Sequence, residues 1–135
     1  MSEANKNVIR RYVEYFNAGN IDGLRSVCTP DALIQGVLGW GKIDMVLPIW
    51  KALADSLGMQ LTIEDMIAEG DVVAVRYTET GTARKPFFDK PATGKSYDLI
   101  AMEWFELRDG KIARRWGARD AASQSRQLGW DAAAT

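Results

Sequence analysis

The chain has 135 residues, 47% hydrophobic and 26% charged, with a formal net charge of -1 from 17 basic and 18 acidic side chains. Those values describe one ordinary soluble domain and exclude the excess of positive charge that a phosphate backbone demands, so nucleic acid is not an expected partner. Histidine is absent and Cys28 is the only cysteine, which excludes a histidine base, a catalytic triad, a histidine or thiolate zinc site and an internal disulfide.

The N-terminal stretch MSEANKNVIRR lacks the apolar run of a secretory signal, and no stretch is apolar enough to span a bilayer. With a lone cysteine, a cytoplasmic location is expected. Ser2 is placed to cap a first helix in which Val8, Ile9, Tyr12, Val13 and Phe16 recur at helical spacing, with Ala18-Gly19-Asn20 as the stop. IDGLRSVC predicts a short second helix, closed by Thr29-Pro30, and ALIQGVL a brief strand. From Lys42 to Leu57 the apolar positions again follow helical spacing, with Pro48 marking either a start near Met45 or a kink.

Beyond Gly58 the pattern changes to strands. MQLTIEDMIAE and VVAVRYTETGTA form a hairpin through Gly70-Asp71, and SYDLIAMEWFEL is joined to KIARRWGARD through Asp109-Gly110. Helices first and antiparallel strands afterwards define an α+β domain over residues 1–135, with a frayed tail at 131–135. Tyr97, Leu99, Ala101 and Phe105 alternate with Ile100, Met102 and Trp104, so this strand is expected to be buried on both faces. If helices cover one face, a second copy of the sheet is the simplest cover for the other, and a homodimer through the sheet face is expected.

In the last strand, simple alternation puts Ile112, Arg114, Trp116, Ala118 and Asp120 on one face and Ala113, Arg115, Gly117 and Arg119 on the other. Asp120 also stands where it can cap a helix in AASQSRQL. Trp40, Trp50 and Trp116 could each stack on a ligand or pack in the core, and Met45, Met59, Met66 and Met102 fill gaps.

The segments RRYVEYFNAGNIDGL, LTIEDMIAEGDVVAVRYTETGT, PATGK and DGKIARRWGARDAASQSRQLGW, in this order and spacing, resemble the SnoaL-like polyketide cyclases of the nuclear-transport-factor-2-like fold. The resemblance implies a cone-shaped α+β barrel, a curved antiparallel sheet covered by helices around a deep apolar pocket, no metal or organic cofactor, and often a dimer. It implies an apolar aromatic or polyketide-like small molecule as partner, and Asp120 as the acid/base of an intramolecular aldol ring closure with Trp116 as a wall beside it. A carboxylate partly dried by apolar walls gains basicity. Cofactor-free hydroxylation, isomerisation and simple ligand binding are the alternatives on the same fold.

RYVEYFNAGN and IAMEWF are also similar to stretches of ketosteroid isomerase, which places a carbonyl-binding pair on Tyr12 and Glu103; the position of that enzyme's base falls on Gly36. Tyr12, Gln35, Trp40, Glu103 and Trp116 are therefore the expected substrate-binding residues, with Glu103 either a neutral donor or the ion-pair partner of Arg114, and Tyr12 either a donor or a core tyrosine. Gln35 and Ala83 stand where many SnoaL-like sequences carry histidine. Arg76-Tyr77-Thr78 lacks the Arg-x-Asp arrangement of limonene epoxide hydrolases.

Overall fold

The computed structural model describes residues 2–36 and 39–131. The expected strand residues Val37 and Leu38, and residues 132–135 of the expected tail, lie outside them. Helix α1 (Ser2–Ala18) turns Val8, Ile9, Tyr12, Val13 and Phe16 into the core. Gly19, in the left-handed region at φ 67°, ends it while Asn20 N–H reaches back to Tyr15 O. Asn20 then caps α2 (Ile21–Ser26) through the Gly23 N–H.

Strand β1 (Cys28–Gly36) runs through Thr29-Pro30, where the sequence predicts a break. Pro30 is tolerated because the regular ladder of β1 with its neighbours begins only at Leu33. A short β2 (Gly39–Lys42), unforeseen in the sequence, folds back along β1. Helix α3 (Ile43–Leu57) holds Pro48 in its interior, where the orphaned carbonyl belongs to exposed Asp44. Strands β3 (Gln60–Glu69), β4 (Val72–Thr82), β5 (Ser96–Arg108) and β6 (Lys111–Arg119) follow, and α4 (Ala121–Leu128) closes the chain.

The six strands form one sheet in the order β2-β1-β6-β5-β4-β3. All neighbours are antiparallel except β1 and β6, which are parallel, so the sheet is mixed rather than purely antiparallel as expected. Helices α1 and α3 lie on one face, and Tyr12, Phe16, Trp50 and Phe105 pack edge to face or tilted at 5.2–6.4 Å between helices and sheet. The side of Asn17 bonds both N–H and C=O of Leu61, so the end of α1 is stitched to β3 at the sheet edge.

One irregularity decides which side chains enter this interior. Glu106 faces Arg114 but Leu107 faces Ile112, so Ala113 is an extra residue in β6, a β-bulge. Ile112 points inward before it; after it Arg115, Gly117 and Arg119 point inward and Arg114, Trp116 and Ala118 outward. Uninterrupted alternation from Ile112 therefore assigns the wrong face to everything beyond Ala113. Among the described residues no helix is long and apolar enough to cross a membrane.

Candidate active site

Two polar clusters interrupt the apolar interior, each built on one acid and one arginine from β4, β5 and β6. In the first, Glu103 of β5 accepts hydrogen bonds from three side chains: Arg115 Nη1 at 2.5 Å and Tyr12 Oη at 3.2 Å on Oε2, and Tyr77 Oη at 2.7 Å on Oε1. The side chains of Arg115 and Glu103 are 11% and 9% exposed. Trp50 of α3 covers the guanidinium at 5.6 Å.

Burial first, and then the negative charge of Glu103, hold the Tyr12 and Tyr77 hydroxyls well above their ordinary range, so both remain protonated donors. Burial opposes the charge of Arg115, but Glu103 and the two hydroxyl oxygens more than offset it, and the guanidinium is raised. Burial likewise pushes the Cys28 thiol, on the same inner wall, up to about 12.

In the second cluster Arg119 grips Glu79 through Nε and Nη2, a bidentate pair, while Tyr97 Oη donates to Glu79 Oε2 at 2.6 Å. Glu79 is 1% exposed. Burial and the adjacent Glu79 raise the Tyr97 hydroxyl as well.

Of the residues expected from the sequence, the structure brings Tyr12 and Glu103 together inside the cone. The other four are elsewhere. Gln35, Trp40 and Trp116 lie on the outer face: Gln35 pairs with both tryptophans across the ladder, Trp40 and Trp116 meet edge to face at 5.6 Å, and Arg114 rests against both rings. The bulge at Ala113 is the reason Trp116 is no interior wall. Asp120 is exposed and its Oδ1 accepts from Ser123 N–H at 3.0 Å, the N-cap of α4. The carboxylate is thus not dried by apolar walls, and its capping position follows from the end of β6 falling one residue before it.

Glu103 is ion-paired, but with Arg115 rather than with Arg114, which stands on the opposite face beside Glu106. As a carboxylate taking three hydrogen bonds it is an acceptor and not the neutral donor of the isomerase pattern. Gly36 does face the interior, where a Cβ would come within 3.9 Å of Arg115 Nη2; the guanidinium occupies the neighbourhood of the missing base. Ala83 is fully buried, Arg76 points outward and Tyr77 inward. Among the described residues no group of three His, Cys, Asp or Glu side chains could hold a metal ion.

Tyr77, Glu79, Tyr97, Arg115 and Arg119 escape the sequence reading. One signal was available: Val73, Val75, Tyr77 and Glu79 form a single alternating set, and an acid on a face that buries valines requires a cation opposite.

Helices folded over one face of a six-stranded curved sheet, with a polar cluster buried between them, define a cone of the nuclear-transport-factor-2-like class. The model of the SnoaL-like polyketide cyclases matches residues 6–128, and the chain belongs to that family. It is 26% identical to IdmH of Streptomyces antibioticus, a candidate polyketide cyclase, over 93% of this chain and 98% of that one, with a TM-score of 0.81. AclR of Streptomyces galilaeus, a candidate hydroxylase, shares the fold at 21% identity and a TM-score of 0.86, over 96% of this chain and 87% of that one. A SnoaL-like protein of Jannaschia likewise shares it, at 21% identity and a TM-score of 0.86, over 94% of this chain and 92% of that one. No significant match is found among curated proteins.

Proposed function

We propose that this chain is a cofactor-independent cyclase, or a closely related enolising enzyme, acting on an apolar, polycyclic or polyketide-like carbonyl compound. The observation that carries this reading is the Tyr12–Tyr77–Glu103–Arg115 cluster, hydrogen-bonding groups concentrated at one point of an interior that, apart from the Glu79–Arg119–Tyr97 cluster, is lined by Trp50, Phe16, Phe105 and aliphatic side chains. A carbon acid flanked by carbonyl groups needs a proton carrier and a donor for the developing oxyanion. Family membership supports this chemistry over a purely structural role for the cluster.

In this reading Asp120 is the proton carrier. The cap bond engages Oδ1, leaving Oδ2 outside that contact, and the residue follows directly on inward-facing Arg119. Asp120→Asn keeps a capping oxygen but cannot take a proton, so conversion of β-keto esters and aromatic ketones, followed by mass analysis, is expected to fall about 100-fold or more while the melting temperature holds. Unchanged turnover removes Asp120 from the chemistry. Ligands recovered intact from the parent protein, or oxygen consumed with them, would instead indicate binding alone or hydroxylation.

The same reading makes the working unit a homodimer through the outer sheet face. Ile67, Ile100, Met102, Trp104 and Trp40 are each at least half exposed there, around a groove of about 450 Å³, and such contiguous apolar area marks an interaction surface. Sedimentation is expected to give twice the chain mass, and Trp104→Lys the chain mass alone; a monomeric parent protein sinks the dimer.

A further inference from the structure

Arginine offers five N–H donors on three nitrogens, and the ion pair with Glu103 engages Nη1 of Arg115 alone. Nε is buried and has no hydrogen-bond partner among the described residues, in a residue only 9% exposed. Idle buried donors are rare in native interiors and point to a missing partner. With Nη1 turned to Glu103, the opposite edge of the planar group, Nε and Nη2, faces away from the ion pair.

The chain keeps that neighbourhood clear with two glycines on adjacent strands. A Cβ at Gly117 would fall 2.2 Å from Arg115 Nη1, so Gly117 makes room for the guanidinium itself. At Gly36 a Cβ would meet, among the described residues, only Nη2 at 3.9 Å, so none of their side chains fills the inner side of β1 at this position. Trp50 lies over the guanidinium as an apolar ceiling.

Charge selects what can enter. Glu103 matches Arg115 and Glu79 matches Arg119, so the two clusters carry no surplus of either sign. A permanent carboxylate brought to Arg115 would stand beside Glu103 as a second buried anion. A neutral carbonyl oxygen satisfies the idle donors and adds no charge.

We propose that the Nε–Nη2 edge of Arg115 is the oxyanion-binding group of this site, taking the carbonyl oxygen of an uncharged apolar ketone and holding it as the enolate. The inference rests on the reading of the chain as an enolising enzyme. When the base removes the α-proton, the C–H pair becomes the C=C π bond and the carbonyl π pair moves onto oxygen, beside Arg115. On reprotonation or on attack at a second carbonyl, the pair on the enolate oxygen re-forms its C=O π bond and the C=C π pair becomes the new C–H or C–C bond; in the attack the second carbonyl's π pair moves onto its own oxygen, which takes the proton back from the base, and no oxidant or co-reactant enters. Arg115 touches the reacting atoms in this scheme; Glu103, Tyr12 and Tyr77 position it.

Substituted 2-naphthols test this, because the neutral naphthol enters without charge and its oxygen, on an apolar ring, comes closer to an enolate oxygen as the naphthol grows more acidic. Affinity for the parent protein is expected to rise with naphthol acidity. Arg115→Met removes the donor edge, and the Arg115→Met/Glu103→Gln double variant removes it without stranding a buried carboxylate. In the double variant, with a cooperative melt as the check on folding, the most acidic naphthol is expected to bind at least about tenfold more weakly and the dependence on acidity to vanish. An undiminished dependence there, or naphthols that do not bind the parent, overturns the inference. Ketone turnover with naphthol binding indifferent to Arg115 overturns it while leaving the proposed function standing; naphthol binding governed by Arg115 with no ketone turned over supports the oxyanion site and removes the cyclase reading.

Discussion

Replacing Arg115 by methionine leaves Glu103 as an unpaired carboxylate in a side chain 9% exposed, and breaking a buried pair from one side costs about 3–5 kcal/mol. Tyr12 and Tyr77 still donate to it, which favours the lower part of that range. Glu103→Gln strands the cation instead and sets an amide NH2 or a neutral oxygen against Nη1, at a similar cost. Because a domain of this size holds only about 5–15 kcal/mol in total, each single variant should melt far below the parent. The double variant puts an apolar side chain under Trp50 and a neutral amide between two tyrosine hydroxyls, and replacing a buried pair by well-packed groups is commonly near neutral. It should therefore recover most of the loss, with a coupling energy at or above the upper end of the roughly 0.5–3 kcal/mol usual for contacting residues. Urea unfolding of all four proteins at neutral pH measures this. Losses that simply add would mean that Arg115 and Glu103 are not partners in solution.

Alkaline pH should destabilise the fold through its buried tyrosines. The folded-state pKa values of Tyr12, Tyr77 and Tyr97 are raised, by burial first and then by Glu103 or Glu79, so their contribution is complete below the unfolded value of about 10 and is lost as pH climbs towards the folded values. The expected slope above pH about 10 is about 1.4 kcal/mol per pH unit for each tyrosine, and Tyr12→Phe should remove one such share from urea titrations; an unaltered slope refutes the assignment. Gly117→Ala drives a Cβ into the ion-paired Nη1 and should cost about 1–3 kcal/mol, whereas Gly36→Ala meets Nη2 at ordinary contact and should stay within about 0.5 kcal/mol, a contrast that thermal melts resolve. Deleting Ala113 removes the bulge but sets Arg114 directly after Ile112, so simple alternation keeps Arg115 and Arg119 inward on Glu103 and Glu79; the loss should stay at about 1–3 kcal/mol, and a variant without a cooperative melt would refute the facing described for β6.

The elements were legible wherever one period ran uninterrupted. Val8, Ile9, Tyr12, Val13 and Phe16 keep helical spacing, and all are buried; Tyr97, Leu99, Ala101 and Phe105 keep strand spacing, and all are buried. The second apolar set of β5, Ile100, Met102 and Trp104, is exposed on the outer face of the single chain and not buried as its composition suggests, because among the described residues no helix covers that face. β2 escaped because Gly39-Trp40-Gly41-Lys42 has no strand pattern of its own and is ordered by pairing with β1. The site was less legible than the fold. A bulge belongs to the ladder between two strands, and nothing in KIARRWGARD announces that Ala113 has no partner of its own. Without it the tryptophan and the following acid count as inward; with it they give way to two arginines.

That exchange determines what each face of β6 can do. Inward, Arg115 and Arg119 balance the two acids that β4 and β5 bury, and the interior becomes neutral but rich in oriented donors. Outward, Trp116 joins Trp40 and Trp104, its direct partner across the ladder, and Arg114 lies on two of these rings. In the proposed enolising role, balanced charge would let an uncharged ligand enter at little electrostatic cost, while donors already fixed by the fold would answer strongly to charge that develops only after entry. Had the strand kept simple alternation, the interior would hold Trp116 and lose both cations, and Glu79 and Glu103 would have to be discharged to remain buried. One unpaired alanine thus separates an interior in which two buried acids are each matched by an arginine from one in which neither would have a cation on β6.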